Sequence, residues 1–596
     1  MKSRQVKILF SSALATVIIF AILALVVWFL IVPRVLNLQF MTNREMVDYH
    51  EHHGLPPYYA HLVLDGRRVP GIRPLAVGEN DHPTIYIPSA FIQEYFDPFL
   101  FWDHGAGVFF ASTRTEMLEF RPDMQQFTIN GQTQMLEDPI FWSNDDIYMP
   151  QSLIEGLYPL NIEFHAEYNM VVIISELRQT VSEIAVNSAD IRVRPDSRAP
   201  IFMQLERGDE VVLFIDETQL SDDTNTPEYT RVRTPYGLIG YVATASLGDL
   251  VVSNVNINRT PLLSAWVENW TSHPPNWPSG QLINMTWEQV YHPDANINLM
   301  ESPLHSSLTV VSPTWFRLHE EHIFTSVASR AYVEWAHSQG VYVWPLVFDS
   351  NNAAARAVLM NRDARRTVVE QLVHYVDTLN LDGINIDIEH LFAPEEGPYK
   401  IQFLRELAIP LRERGVVLSA AVKVPDVWSM FYRRDLIGLT VDFVQVMTYD
   451  EHWATHDTAG PVASLPWVQQ AILNMLEEVP KEKLIMGIPF YSRVWREPVR
   501  EDEPMTSRGL SMTYARSFFE ERGVEWEWDA TIGSYFGEVV VTEEGQTIFY
   551  RVWLEDERSI AAKMQIFSAN DLAGVGSWRR GLEAPAIWDI LAVYFS

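Results

Sequence analysis

The 596-residue chain contains no cysteine. That absence excludes disulfides, thiolate zinc sites and a cysteine nucleophile, although it does not fix the compartment. Basic residues are scarce as well: 44 Lys and Arg stand against 77 Asp and Glu, a net charge of −33. A nucleic-acid partner needs a basic face to neutralise phosphates, and this chain has no surplus from which to build one. An anionic polymer is repelled by most of such a surface, so contact with one has to be local, in a cleft. No His-Glu-x-x-His signature occurs, and no ligand cluster calls for a metal or another cofactor.

The composition is otherwise that of a globular protein, with 47% apolar, 12% aromatic and 20% charged residues. The length exceeds one ordinary core and suggests three or four domains. Lys2, Arg4 and Lys7 precede an uncharged run over 8–32. About 25 residues make a helix of roughly 38 Å, enough to cross a bilayer with some tilt. No small-x-small cleavage site follows, and the leading positive charges favour a cytoplasmic N-terminus. The expectation is a single-pass signal anchor over 1–34, with the bulk of the chain extracytoplasmic; a cleaved secretory signal is the alternative. Tyr49-His50-Glu51-His52-His53 reads as a solvated linker rather than a metal site.

One stretch organises the rest: Leu381-Asp382-Gly383-Ile384-Asn385-Ile386-Asp387-Ile388-Glu389. Successive side chains of a strand point to opposite faces, so Ile384, Ile386 and Ile388 share one face while Asn385, Asp387 and Glu389 share the other. Gly383 lets the backbone pass close to a neighbour. Burying such a polar row without purpose is expensive. An edge strand with a solvated polar face is the competing reading. Apolar runs over 282–287, 308–314, 341–348, 381–389, 416–422, 441–449, 484–491 and 574–578 are separated by helical segments, the pattern of a parallel (β/α)8 barrel.

The DGINIDIE form of this stretch resembles the DGxDxDxE signature of glycoside hydrolase family 18, on the fourth strand of a TIM barrel. With Asn385 in place of the usual Asp, it looks most like spore cortex-lytic and related peptidoglycan N-acetylglucosaminidases. The resemblance extends over 279–596. It implies that Glu389 is the catalytic acid, that Asp387 orients the substrate's acetamido group, and that Asn385 belongs to the substrate-binding set. Met447-Thr448-Tyr449-Asp450 looks like the sixth-strand MxYD motif, which implies a catalytic Tyr449 with Met447 and Asp450 at the substrate. Gly487-Ile488-Pro489-Phe490-Tyr491-Ser492-Arg493 looks like the seventh-strand GxPxYGR motif and adds Tyr491 and Arg493, while Trp578 falls where the eighth strand supplies a floor for the sugar. Residues 499–552 look like the family's small α+β insertion. The third-strand SxGG motif of chitinases is missing, with Pro345 to Asp349 in its place. The implied activity is hydrolysis of β-1,4-linked N-acetylhexosamine polymers, peptidoglycan first and chitin second, with attack by the substrate's own acetamido oxygen and no cofactor.

Upstream, Ile85-Tyr86-Ile87-Pro88-Ser89 parallels Ile147-Tyr148-Met149-Pro150-Gln151, a weak internal duplication. Residues 45–180 resemble the copper amine oxidase N-terminal-like domain, without copper ligands. Residues 182–248 alternate between short strands and Gly/Pro turns and resemble bacterial SH3-like modules, which implies binding to the cell wall. His452 and His456 at i,i+4 are a candidate metal pair, with a substrate-lining loop as the competing reading. Non-catalytic glycan binding and a structural envelope role on the same barrel remain the alternatives to hydrolysis.

Overall fold

The computed structural model describes residues 43–54, 60–78, 83–214, 227–255, 277–321, 323–500 and 503–595. The anchor expected over 1–34 lies outside these, and among the described residues no helix is long and apolar enough to cross a membrane. The chain divides into two compact units, one drawn from Met1–Ile92 and Glu137–Ser264, the other from Gln93–Leu136 and Ala265–Ser596. The segment 45–180, read from sequence as one domain, contributes to both.

In the first unit the internal duplication folds onto itself. Strands Thr84–Pro88 and Asp146–Pro150 lie antiparallel, with Tyr148 opposite Pro88, and each runs into a short helix. Ile85, Ile87, Ile147 and Met149 are buried on one face, and Tyr86 and Tyr148 between them are buried on the other. A separate seven-stranded antiparallel sheet spans 178–254 and closes over Ile191, Leu205, Val232 and Val242. The Tyr49–His52 segment is a capped helical turn rather than a solvated linker: Tyr49 is buried, and the His53 ring lies against Phe202. Burial, with Arg68 nearby, holds the His53 imidazole down to about 4.

The second unit contains the barrel. Its strands are Ile283–Glu288, Val310–Pro313, a third in two pieces (Tyr342–Val343 and Leu346–Asp349), Gly383–Asp387, Val417–Lys423, Phe443–Met447, Leu484–Pro489 and Gly574–Trp578. Every neighbouring pair is parallel, and the eighth strand pairs with the first to close the sheet. The third strand is split at Trp344-Pro345. Its first piece pairs with the second strand and its second piece with the fourth. Ile384, Ile386 and Ile388 are fully buried among the surrounding helices, so the polar side of the fourth strand faces the barrel interior. Gly383 is required by the Trp344 ring: a Cβ there would sit 2.4 Å from its Cδ1.

Two further layers complete this unit. From Tyr491 to Leu554 the chain builds a five-stranded antiparallel sheet with the helix Met512–Glu520. Its first strand, Tyr491–Pro498, continues almost directly from the seventh barrel strand. The other layer is the five-stranded meander from Phe101 to Met135, which packs on the outer helices of the barrel. Phe99, Phe101, Val108 and Phe110 enter the barrel's outer core. Arg405 donates to the carbonyls of Ser112 (2.9 Å) and Thr113 (2.7 Å) and lies over the Phe99 ring. Arg365, without solvent exposure, pairs with the equally buried Asp103 at 2.9 Å and with Glu406 at 3.1 Å.

Breaking a buried pair from one side leaves an uncompensated charge, typically at about 3–5 kcal/mol. Asp103→Ala is therefore expected to destabilise the barrel unit by about that amount, measured as the shift in urea unfolding. An unchanged midpoint would show that the meander does not contribute to barrel stability through this pair.

Candidate active site

The fourth strand presents its polar row as a ladder with three different environments. Asn385, at the bottom, is fully buried in the barrel. Its Oδ1 accepts from Trp287 Nε1 at 3.0 Å, and its Nδ2 donates to Ser419 Oγ at 3.0 Å and to Gln445 Oε1. With its amide committed in this way, Asn385 does not line the cleft. This corrects the sequence-based assignment to the substrate-binding set: two residues along a strand is about 6.5 Å, one layer below the reacting groups.

Asp387, the next rung, reaches the cleft. Burial, and then the Glu389 carboxylate, push its carboxyl well above the usual range, against the pull of Lys400 and Lys423. Its Oδ1 is buried with no hydrogen-bond partner among the described residues. Lys400 is held down to about 8 by its own burial and donates to the Ile388 carbonyl at 3.0 Å, fixing the backbone between the two acids.

Glu389 lies just beyond the strand end, with its side chain about one-third exposed. Its peptide is clamped from three directions. The buried Asp349 carboxylate accepts from the amides of Glu389 (3.4 Å) and His390 (3.2 Å). Tyr432 Oη and Lys423 Nζ donate to the Glu389 carbonyl at 2.6 and 3.2 Å. Lys423 also stands 3.7 Å from the Glu389 carboxylate, on the cleft side.

The sixth and seventh strand ends form the opposite wall. Thr448 Oγ1 donates to the Gly487 carbonyl at 2.6 Å and pins the two together. A Cβ at Gly487 would approach the Tyr449 ring within 2.9 Å, so the glycine makes room for Tyr449 at the cleft. Burial, and then Asp387, raise the Tyr449 hydroxyl well above its ordinary value, keeping it a neutral donor. Asp450 takes a left-handed backbone (φ 59°), and its Oδ1 accepts from Tyr491 Oη and Arg493 Nη2, each at 2.5 Å.

These groups surround a cleft of about 640 Å³ lined by Asp387, Glu389, Met447, Tyr449, Asp450, Tyr491 and Trp578. Of the sequence-predicted site residues, these seven come together there. Arg493 reaches the cleft through Asp450, and Asn385 stays below it.

Sequence reasoning missed several wall residues: Trp287, Lys423, Trp453 and Trp467. Trp287 was readable as the last apolar residue of the first strand run, and the strand-end rule alone could have placed it at the cleft. The His452 and His456 rings lie 4.7 Å apart, tilted by 60°, in the loop after the sixth strand. Among the described residues no cluster of His, Asp and Glu is arranged to hold a metal ion.

The folded chain holds the Asp387 proton more tightly than the unfolded chain does. Its stabilising share is therefore full below the ordinary carboxylate range and is lost as pH rises through the raised value. Asp387→Asn removes this titration. In urea unfolding the variant is expected to gain on the parent steadily from acid to mildly alkaline pH; a pH-independent difference would place the proton elsewhere.

Residues 350–583 match the family model for Glycosyl hydrolases family 18. An uncharacterized glycosylase of Bacillus subtilis (strain 168) is 24% identical over 297 residues, which is 48% of this chain and 84% of that protein. The cortical fragment-lytic enzyme of the same organism is 26% identical over 250 residues, 40% of this chain and 56% of the relative. The cortical fragment-lytic enzyme of Bacillus anthracis is 26% identical over 264 residues, 42% of this chain and 58% of the relative. The chain thus spans little more than half the length of these two lytic relatives. Its barrel carries a glycoside hydrolase family 18 domain, and by that domain the chain is a glycosidase.

Proposed function

We propose that the protein hydrolyses β-1,4-linked N-acetylhexosamine polymers, with peptidoglycan as the substrate, by attack of the substrate's own acetamido oxygen. The observation that carries this reading is the Asp387 carboxyl. Burial and the Glu389 charge raise its hold on a proton, and one of its oxygens is buried and unpartnered among the described residues, in the cleft that Glu389 and Tyr449 also line. A carboxyl biased toward its protonated form is poorly suited to be the nucleophile of a conventional retaining glycosidase. An unpartnered buried acceptor calls instead for an N–H, which the acetamido group of the sugar supplies.

The steps follow from these positions. The sugar lies against Trp578, with its acetamido N–H on Asp387 and its carbonyl oxygen accepting from Tyr449. Glu389 gives its proton to the glycosidic oxygen while that carbonyl oxygen bonds to the anomeric carbon, and the glycosidic bond breaks. The positive oxazolinium ring that results faces Asp387, whose unpartnered oxygen accepts the hydrogen bond of the ring N–H and so stabilises it. Water then attacks the anomeric carbon and loses a proton to the Glu389 carboxylate. The ring opens, and the configuration is retained. The nucleophile is tethered to the reacting carbon, so its effective concentration is high.

Peptidoglycan, rather than chitin, is supported by the names of the cortical fragment-lytic relatives and by the missing SxGG motif. Lys2, Arg4, Lys7 and the apolar run after them support a single-pass membrane anchor with an extracytoplasmic barrel. The duplicated α+β segment and the seven-stranded antiparallel sheet are read as copper amine oxidase N-terminal-like and SH3-like modules that face the cell wall.

Glu389→Gln is expected to leave the circular-dichroism spectrum unchanged and to lower turnover of purified peptidoglycan by about 10²–10⁴-fold; undiminished turnover would remove Glu389 from the mechanism. Glycosides with a 2-hydroxyl in place of the acetamide are expected to be nearly inert, and a thiazoline that imitates the cyclised intermediate to inhibit strongly. Comparable rates on the two glycosides, or a sugar ester trapped on Asp387, would show that the protein supplies the nucleophile.

A further inference from the structure

A smaller cleft of about 300 Å³ adjoins the first. It shares Asp450, Tyr491 and Trp578 with the main cleft but includes neither Asp387 nor Glu389. Its remaining walls are Gln289, Arg493, Arg579, Leu582 and the Gly509–Ser511 edge of the inserted sheet. The second cleft adjoins the Trp578 platform proposed above for the sugar being cleaved and stands apart from Glu389, which is proposed to serve the leaving oxygen, so a sugar placed in it is assigned to the non-reducing side.

The two clefts differ in charge. The main cleft is walled by Asp387, Glu389, Asp426, Asp450 and Glu451 against Lys423. The second sets Arg493 and Arg579 against Asp450 alone. In a chain of net charge −33, a cleft with two cations against one acid stands out.

Arg579 makes no ion pair with any described residue, and its one hydrogen bond is a 3.4 Å contact to the Arg580 carbonyl. The acids around it are already engaged. Glu583 accepts from the Gly581 amide and Trp588 Nε1, Glu288 from Arg580 and Tyr332, and Asp450 from Tyr491 and Arg493. Arg493 is 6% exposed, and its Nε is buried with no hydrogen-bond partner among the described residues. Partial burial of Arg579 lowers the affinity of its guanidinium for its proton, against the opposing pull of Tyr291 and Glu583.

We propose that Arg579, together with Nε of Arg493, binds a carboxylate carried by the sugar on the non-reducing side of the one being cleaved. The cleft thereby selects a glycan in which N-acetylglucosamine alternates with a lactyl-substituted sugar over the uniformly neutral chain of chitin. The carboxylate is either that of the lactyl ether itself or one on a peptide attached to it. The guanidinium forks suit either source. This inference rests on the N-acetylhexosaminidase reading above and names the substrate feature that the same site recognises.

The test separates binding from cleavage. In the full chain carrying Glu389→Gln, titration calorimetry measures affinity for four tetrasaccharides: chitotetraose, and the alternating glycan with a free lactyl carboxylate, with that carboxylate amidated, and with a peptide attached. The alternating glycan with the free carboxylate or with the peptide is expected to bind more tightly than the two neutral ligands. Adding Arg579→Gln is expected to abolish that preference, a loss of about 10–100-fold for a charge-assisted contact, while Arg579→Lys retains part of it. Preference for the free acid assigns the lactyl source, and preference for the peptide form alone assigns the peptide; each supports the proposal. A parent with no preference, a preference that survives Arg579→Gln, or equal weakening of all four ligands would overturn it. Incubating the unsubstituted chain with the same glycans decides the hydrolase reading separately: no cleavage of any of them would remove that reading and leave the calorimetric result standing.

Discussion

Much of this site hangs on one amide. The Asn385 side chain ties the fourth barrel strand to the first through Trp287, to the fifth through Ser419 and to the sixth through Gln445. At the centre of a closed parallel barrel, where the local dielectric is low, an unpaired polar group is costly. Four strands are therefore held in register by one satisfied network. That network sets the edge of the Trp287 indole, and the indole is part of the cleft wall. An ionised carboxylate at position 385 would have to be neutralised among the same partners; the amide offers both a donor and an acceptor without a charge to bury.

The electrostatic plan above that layer is graded. The neutral amide lies at the bottom, a carboxyl whose hold on a proton is raised comes next, and a carboxyl one-third exposed with a lysine beside it is at the rim. For the middle rung desolvation is the largest cause and the Glu389 charge the second, and each step of two residues along the strand moves a side chain nearer to solvent. Lys400 and Asp349 hold the backbone of the upper two rungs without occupying the cleft. The acids of the site thus have fixed main chains and free side-chain oxygens, an arrangement suited to proton transfer.

Much of this was legible in the chain itself. The three isoleucines and three polar residues of 384–389 announced a strand with one face in the helical layer and one in the barrel, and Gly383 announced a close neighbour, which is Trp344. The runs at 441–449, 484–491 and 574–578 placed Tyr449, Tyr491 and Trp578 at strand ends, and the structure gathers them around the same cleft. Other features were beyond a one-dimensional reading. Asn385 shares its face with Asp387, and period-two alternation cannot say how deep along the barrel axis a rung lies. Tyr49 and His53 looked solvated because their neighbours in sequence are polar, yet their packing partner, Phe202, is far along the chain. The partition of 93–136 into the barrel unit depends on Arg365 and Arg405, whose partners lie hundreds of residues earlier.

That last separation has a kinetic consequence. The Arg405–Ser112 contact spans 293 positions. Closing so long a loop carries an entropic term of about 5 kcal/mol on the logarithmic scaling, before any contact offsets it. A ribosome releases the meander long before it makes the helix Glu396–Glu413 that receives it. Until then Phe99, Phe101 and Phe110 have no apolar partner in the barrel layer and are exposed to whatever else is nascent or nearby. The meander is thus made first in this unit and cannot dock until that helix exists, and each contact between them adds to the share of long-range pairings that slow folding.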